Sequence, residues 1–260
     1  MQFSNKYIVG FAAAVCLVCS VVVSVSAVGL RERQDANKIL DRQKKVLTVA
    51  GLIEEGQAID PTDVDRLFAE NIEARVIDLE SGAYDEAADA LTYDQRKALK
   101  DPALSREAPA NNAGVQRLPN DALVYLVRDG EEISKFVLPI EGKGLWSTLY
   151  GFLALGPDTD TIEGIIFYEH GETPGLGGEV DNPSWKGLWV GREAFDDSWQ
   201  PAIDVIKGAA GPPDSDPYRV DGLSGATITA RGVGYLVRFW LGDDGFGPYL
   251  SRQRTEGSAA

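Results

Sequence analysis

The chain has 260 residues, enough for one globular domain and an appendage, and its apolar content of 44% can fill a core. Lys and Arg number 25 against 40 Asp and Glu, a formal net charge of −15, and such a surface repels nucleic acid. One histidine (His170) and two cysteines (Cys16 and Cys19, both in one apolar run) exclude a disulfide framework and a His/Cys metal site in the main domain.

Residues 7–30 carry no charge. About 20 apolar residues cross a bilayer core, so this run reads as a membrane span. A signal peptide is the rival, with Val25-Ser26-Ala27 as its cleavage site, but the run is longer than a usual signal core and helix continues after it. Cys16 and Cys19 read as small apolar residues of that helix, not as a redox pair. Only Lys6 precedes the span; Arg31, Arg33, Lys38, Arg42, Lys44 and Lys45 follow, diluted by Glu32, Asp35 and Asp41. Taken alone, the positive-inside rule puts the following domain in the cytoplasm. The span holds no charged side chain and offers no ion path of its own.

Residues 31–53 read as a helix leaving the membrane, with Ile39, Val46, Val49 and Ile53 at helical spacing and Gly56 as its stop. Asp60-Pro61 supplies an N-cap and a first-turn proline for a second helix, with Val64, Leu67 and Phe68 on one face. Ala74–Leu79 reads as a strand. Residues 81–120 are polar and rich in Ala, Pro and Asn; they read as a peripheral insertion or linker with one short helix around Tyr93–Lys100.

From Ala122 the texture changes. ALVYLVR and ISKFVLPI flank Asp129-Gly130-Glu131, a hairpin signature, and GFLALG and TIEGIIFYEH flank Pro157-Asp158-Thr159-Asp160, a second one. A short strand is expected near Ile203–Ile206. Thr227–Gly242 reads as the last long helix, burying Val233, Leu236, Val237 and Trp240. Antiparallel hairpins with helices at the ends predict an α+β fold: a single N-terminal transmembrane helix, then a largely antiparallel sheet with flanking helices. The expected division is a tip and anchor over 1–30, a mixed periphery and linker over 31–120, the main domain over 121–250 and a disordered tail over 251–260.

Three glycine-bearing segments can carry chemistry: GKGLWSTLYG (142–151), HGETPGLGG (170–178) and DGLSGATITA (221–230). Any one reads as a tight turn; three together point to a shared flat or anionic ligand that backbone can approach closely. Ser224, Gly225, Ala226 and Thr227 fall at a helix N-terminus, whose free N–H groups and positive dipole end suit a phosphate. The plainer alternative is an N-cap made by Ser224 or Thr227. GLSGA lacks the G-x-S-x-G spacing of a nucleophile elbow, and nothing local orients His170 as a base, which disfavours a serine hydrolase. No nucleophile–base pair, metal site or Rossmann glycine motif emerges, so no catalytic or metal-ligating residue is assigned.

DGLSGAT resembles the flavin-attachment motif Asp-x-x-Ser/Thr-Gly-Ala-Thr of FMN-binding domains in membrane-bound respiratory complexes. HGETPGLG and GKGLW resemble further segments of those domains. With its single anchor and its KKVLTVAGL helix, the whole chain resembles the C-subunit family of the sodium-translocating NADH:quinone reductases, least closely over 81–120. The resemblance implies covalent FMN, held by a phosphoester to Thr227 rather than Thr229. It also implies a flavin transferase that draws FMN from FAD with a magnesium ion, with Asp221 needed for recognition or chemistry in that step, and Ser224, Gly225 and Ala226 as the phosphate-side loop.

The ring system would then rest on the other segments. Leu145 and Trp146 offer an apolar wall and a stacking face, and Leu176, beside Gly175, can lie against the ring. Glu172 and Thr173 can hydrogen-bond ring or ribityl groups. Lys207 is the expected cation near the ring carbonyls or the phosphate, where it favours the reduced, negatively charged flavin. Trp146 as core, Glu172 as a solvent-facing acid, Lys207 as a surface charge and His170 as a structural residue are the bland alternatives. A tether also suits so acidic a chain, because occupancy no longer depends on equilibrium affinity for a phosphate. The implied function is a single-electron relay in a sodium-pumping NADH:ubiquinone reductase of a bacterial inner membrane. Its partners would be the other subunits, the transferase and membrane lipid, with the soluble domain periplasmic, against the charge rule. The G subunit of the Rnf complex, which lacks much of residues 40–120, and a flavin-free tethered binding module are the alternatives.

Overall fold

The computed structural model describes residues 4–257. Helix α1 (Asn5–Val49) runs 45 residues without a break, about 67 Å at 1.5 Å per residue. Among the described residues it is the one helix long and apolar enough to cross a membrane. It passes straight through Val25-Ser26-Ala27, and its exposed length ends where Val46 and Leu47 become fully buried. The chain divides into two compact units, 1–42 and 43–260.

In the globular unit, α2 (Pro61–Asn71) begins where the sequence indicates: Asp60 Oδ1 accepts from the Thr62 N–H at 2.9 Å, and proline takes the first turn. Next come β1 (Ile72–Asp78), the short helix α3 (Gln95–Ala98), the small hairpin β2 (Ser105–Glu107) and β3 (Arg117–Pro119), then β4 (Asp121–Asp129), β5 (Glu132–Lys143), β6 (Thr148–Leu155) and β7 (Ile162–Glu169). The main sheet has the order β1-β4-β5-β6-β7, antiparallel at every pairing. Both expected hairpins are present, the first with Gly130 at a φ of 64° and the second around the Asp158 turn, whose Oδ1 accepts from the Asp160 and Thr161 N–H groups.

After β7 the chain winds through 3-10 turns and the short helix α4 (Pro183–Lys186). Strands β8 (Asp204–Val205) and β9 (Arg219–Val220) then form a parallel two-residue pairing. Helix α5 (Thr227–Leu241) packs on β5 and buries Val233, Leu236, Val237 and Trp240 completely, as its periodicity indicates. The Trp240 indole N–H donates to the Glu141 carbonyl at 2.7 Å, which fixes the helix over the strand. This α+β layering, one helix on a twisted antiparallel sheet, is the predicted fold class.

Three expectations need correction. The strand expected at Ala74–Leu79 lies over Ile72–Asp78 and is an edge strand of the same sheet, so the domain does not begin at 121. Residues 81–120 are not a linker: Leu118 and Ala113 are buried in the core, and the Tyr93 hydroxyl donates to the Asp121 carbonyl at 2.6 Å. The segment lacks periodicity because short aspartate-capped turns hold it in place of long elements. Residues 251–257 are helical, the last part of α6 (Gly247–Gly257), and 258–260 lie outside the described residues. Trp199 holds α6 in place, stacking on Phe195, donating to Ser251 Oγ at 3.1 Å and lying under the Arg254 guanidinium.

Candidate functional site

The three glycine segments meet at one carboxylate. Glu172 is buried (6% exposed), and its oxygens accept from the N–H groups of Leu145 (3.3 Å), Trp146 (2.9 Å) and Ser147 (3.2 Å) and from the Thr229 hydroxyl (2.6 Å). The first three lie in the β5–β6 turn and the fourth in the first turn of α5, so one side chain joins 142–151, 170–178 and 221–230. Burial alone would raise the pKa of this carboxyl. The Thr229 hydroxyl and the three N–H groups outweigh burial and hold it below the ordinary value. A Cβ at Gly144 would fall 2.6 Å from Glu172 Oε1, and one at Gly177 would fall 2.7 Å from Oε2. These glycines make room for the carboxylate. Glu172 is therefore neither a solvent-facing acid nor an open partner for ring or ribityl groups: its acceptor sites are filled, and it positions the segments that flank the site.

The same bond separates two threonines that the sequence leaves two residues apart. Thr229 is buried (1% exposed) and occupied by Glu172, whereas Thr227 is exposed and lines a cleft of ≈ 340 Å³. The cleft is also lined by Val205 to Gly208, by Gly222 to Gly225, by Ala230 and by Arg231. Asp60, Asp94 and Asn182 cap α2, α3 and α4 through their side chains, but no side chain caps α5. Neither Ser224 nor Thr227 acts as the N-cap of the plainer alternative, which leaves the first-turn N–H groups without a side-chain cap among the described residues. Gly225, at a φ of 72°, turns the chain into the helix; a Cβ there would also press to 3.0 Å from Leu176 Cδ2.

Of the residues singled out in the sequence, Ser224, Gly225, Thr227 and Lys207 line the cleft, and Ala226 is buried beneath it. Asp221 is half-buried and tied into the same wall: its Oδ1 accepts from the Ala210 N–H at 2.8 Å, and its carbonyl accepts from the Trp185 indole N–H at 2.8 Å. Leu145, Trp146, Thr173, Gly175 and Leu176 are not cleft-lining; they are exposed beside it, with Trp146 68% exposed and therefore not core. Leu145, Trp146, Leu176 and Ile228 are exposed apolar side chains, Leu176 lying close to Gly225 and the Leu145-Trp146 backbone tied through Glu172 to Thr229 of α5.

His170 is structural, as the bland alternative has it. Its Nδ1 accepts from the Glu172 N–H (3.2 Å), so Nε2 carries the proton and donates to Asp181 Oδ2 (2.8 Å). With both nitrogens engaged, it is no base for Ser224, and the hydrolase reading falls. Arg231 is the functional candidate that sequence reasoning missed. Its signal was its position four residues after Thr227, on the same helical face. Neither Lys207 nor Arg231 enters an ion pair among the described residues.

The cleft can therefore present a reactive hydroxyl, uncapped backbone donors and two cations to a phosphate, with apolar side chains beside it for a flat ring. These residues fit FMN. The FMN-binding domain family model matches residues 144–242. The chain is 51% identical over 246 residues to the C subunit of the Na(+)-translocating NADH-quinone reductase of Vibrio anguillarum, covering 94% of this chain and 93% of the relative. It is 48% identical to the C subunit of the same reductase from Pseudomonas aeruginosa, covering 94% of each. Among solved structures, the crystal structure of Shewanella oneidensis NqrC superimposes with a TM-score of 0.77 at 37% identity, over 85% of this chain and 99% of the other. The crystal structure of the corresponding C subunit from Parabacteroides distasonis superimposes with a TM-score of 0.67 at 26% identity, over 85% and 97%.

Proposed function

Because this chain belongs to the C-subunit family of the Na(+)-translocating NADH-quinone reductases, we propose that it carries FMN as a phosphoester on Thr227 and relays single electrons between partner subunits. One observation carries the choice of residue: of the two threonines in the motif, Thr227 has its hydroxyl open to the cleft, while Thr229 has its own committed to Glu172. The relatives match over the region 40–120 that the Rnf-type G subunit largely lacks, which favours the C-type reading.

Attachment would join the Thr227 oxygen to the flavin-side phosphorus of FAD on a magnesium-dependent transferase: the new O–P bond would replace the pyrophosphate P–O bond, with AMP as the leaving group and the threonine proton released. Thereafter the chain's own groups bind and orient. The α5 N–H groups and Lys207 would hold the remaining phosphate charge, about one unit, and charge-assisted donors are the strong ones. Asp221 holds the 207–210 wall in register through Ala210. Leu145, Trp146 and Leu176 would give the ring an apolar surface, while Glu172 keeps the turn bearing two of them against α5. Bound FMN supplies the one-electron redox chemistry; position and electrostatics come from the protein. NADH oxidation then belongs to other subunits.

We place α1 in the bacterial inner membrane among lipid and the partner subunits, with the domain on the periplasmic side. Protease added to intact spheroplasts should cleave the domain; a domain cut only after lysis would reverse the orientation. Denatured, precipitated wild-type protein from cells containing the transferase should fluoresce as flavin, and Thr227→Ala protein should not. Label retained in Thr227→Ala would refute the attachment, and an intact mass equal to the bare polypeptide would favour a flavin-free binding module.

A further inference from the structure

We infer that Arg231 is the cation that binds the phosphodiester on Thr227, an assignment that rests on the attachment reading above. Arg231 lines the same cleft as Thr227 and Lys207. It lies four residues after Thr227 on α5, so their Cβ atoms are neighbours on one face, about 5–6 Å apart. A guanidinium spans the distance from there to a group esterified on the threonine oxygen.

Its surroundings sharpen the point. In a chain where 40 acidic side chains outnumber 25 basic ones, this cleft is lined by two cations, Lys207 and Arg231, and by no carboxylate. The other arginine of α5, Arg238, is committed: it pairs with Asp204 at 2.6 Å and lies over the Tyr235 ring. Arg231 enters no ion pair among the described residues and is exposed to the cleft. Near the N-terminal end of a helix, a cation gains nothing from the macrodipole, and an anion there supplies what the dipole and the guanidinium both lack. A phosphodiester has two non-bridging oxygens, and the planar guanidinium fork can engage both at once, which a lysine cannot. Lys207 then meets the same charge from the 205–208 wall.

The test is ³¹P NMR of the full-length, flavin-labelled protein in detergent, native and denatured, for wild type, Arg231→Gln, Arg231→Lys and the exposed control Lys97→Gln. In the wild type the native phosphodiester resonance should stand displaced from its denatured position. Arg231→Gln should lose more than half of that displacement, Arg231→Lys should keep part of it, and Lys97→Gln should keep all of it. A native Arg231→Gln resonance at the wild-type position overturns the assignment. A second measurement needs no Arg231 variant: an arginine-selective dicarbonyl should modify Arg231 more slowly in labelled wild type than in unlabelled Thr227→Ala. Equal rates overturn the assignment as well. If wild-type protein shows no protein-bound phosphodiester at all, the attachment reading itself has failed and Arg231's role falls with it, an outcome distinct from a phosphodiester that ignores Arg231.

Discussion

Replacing each motif threonine by valine should separate architecture from attachment. In Thr229→Val the side-chain shape is kept and the 2.6 Å hydrogen bond to Glu172 is lost. A bond from a hydroxyl to a buried carboxylate contributes about 1.5–3 kcal/mol. For a domain of this size that is a fall in Tm of about 3–12 °C. Thr227 is exposed and its hydroxyl caps nothing, so Thr227→Val should stay within about 0.5 kcal/mol of wild type. The covalent label should behave the opposite way, present in Thr229→Val and absent from Thr227→Val. The assay is thermal unfolding of both full-length variants in detergent, made without the transferase, with in-gel flavin fluorescence on parallel samples made with it. The Glu172 carboxylate also makes stability depend on pH. Glu172 is held below its ordinary value of 4.5, so its stabilising effect is fully present above that pH and is lost as pH falls through the lower folded value. Thr229→Val moves the folded value upward and narrows that window, so the two proteins should converge in stability in acid. A Thr229→Val protein that melts with wild type at neutral pH, or that folds yet takes no label, would refute this account of the Glu172 hydrogen-bond cluster.

Two further outcomes follow from single side chains. Burial on the sheet pushes the Glu141 carboxyl up to about 7, with Arg96 opposing; a native acid so raised binds a proton that the unfolded chain releases, so stability should fall between the ordinary value of 4.5 and pH 7 by roughly 3 kcal/mol. Glu141→Gln should flatten that loss in a chemical-denaturation series across pH, and an unchanged slope would contradict it. Gly225→Ala must hold a φ of 72° and displace Leu176, costing about 1–2 kcal/mol, and should lower the fraction of chains labelled under limiting transferase; full labelling at the wild-type rate would show that the turn is not needed.

Much of the fold was legible because the signals are local. The α5 stripe of Val233, Leu236, Val237 and Trp240, the Asp60-Pro61 helix start and the Asp129-Gly130 turn each sit within one element, and all three appear in the structure. The linker reading of 81–120 failed because that segment owes its order to distant partners, such as Tyr93 with Asp121 and Ala113 with Lys143. The tail reading failed for the same reason, since Trp199 and Arg254 are far apart in sequence. Within the candidate site, the motif pointed to Thr227 and its loop, which line the cleft. The Glu172–Thr229 bond was invisible, because the two residues are separated by 57 positions with no spacing rule between them. The glycines of GKGLW and GETPGLGG looked like ligand-facing backbone, and Gly144 and Gly177 proved to be room for a carboxylate. Arg231 was available from helical spacing alone, but its meaning needed the cleft.

Peptide-level mass spectrometry of the wild-type chain, coexpressed with a flavin transferase and digested after denaturation, tests the central claim most directly. The peptide containing DGLSGATITA should gain the mass of one riboflavin phosphate less one water, with fragmentation assigning it to Thr227. An unmodified peptide, or a modification resolved to Thr229 or Ser224, would contradict the account.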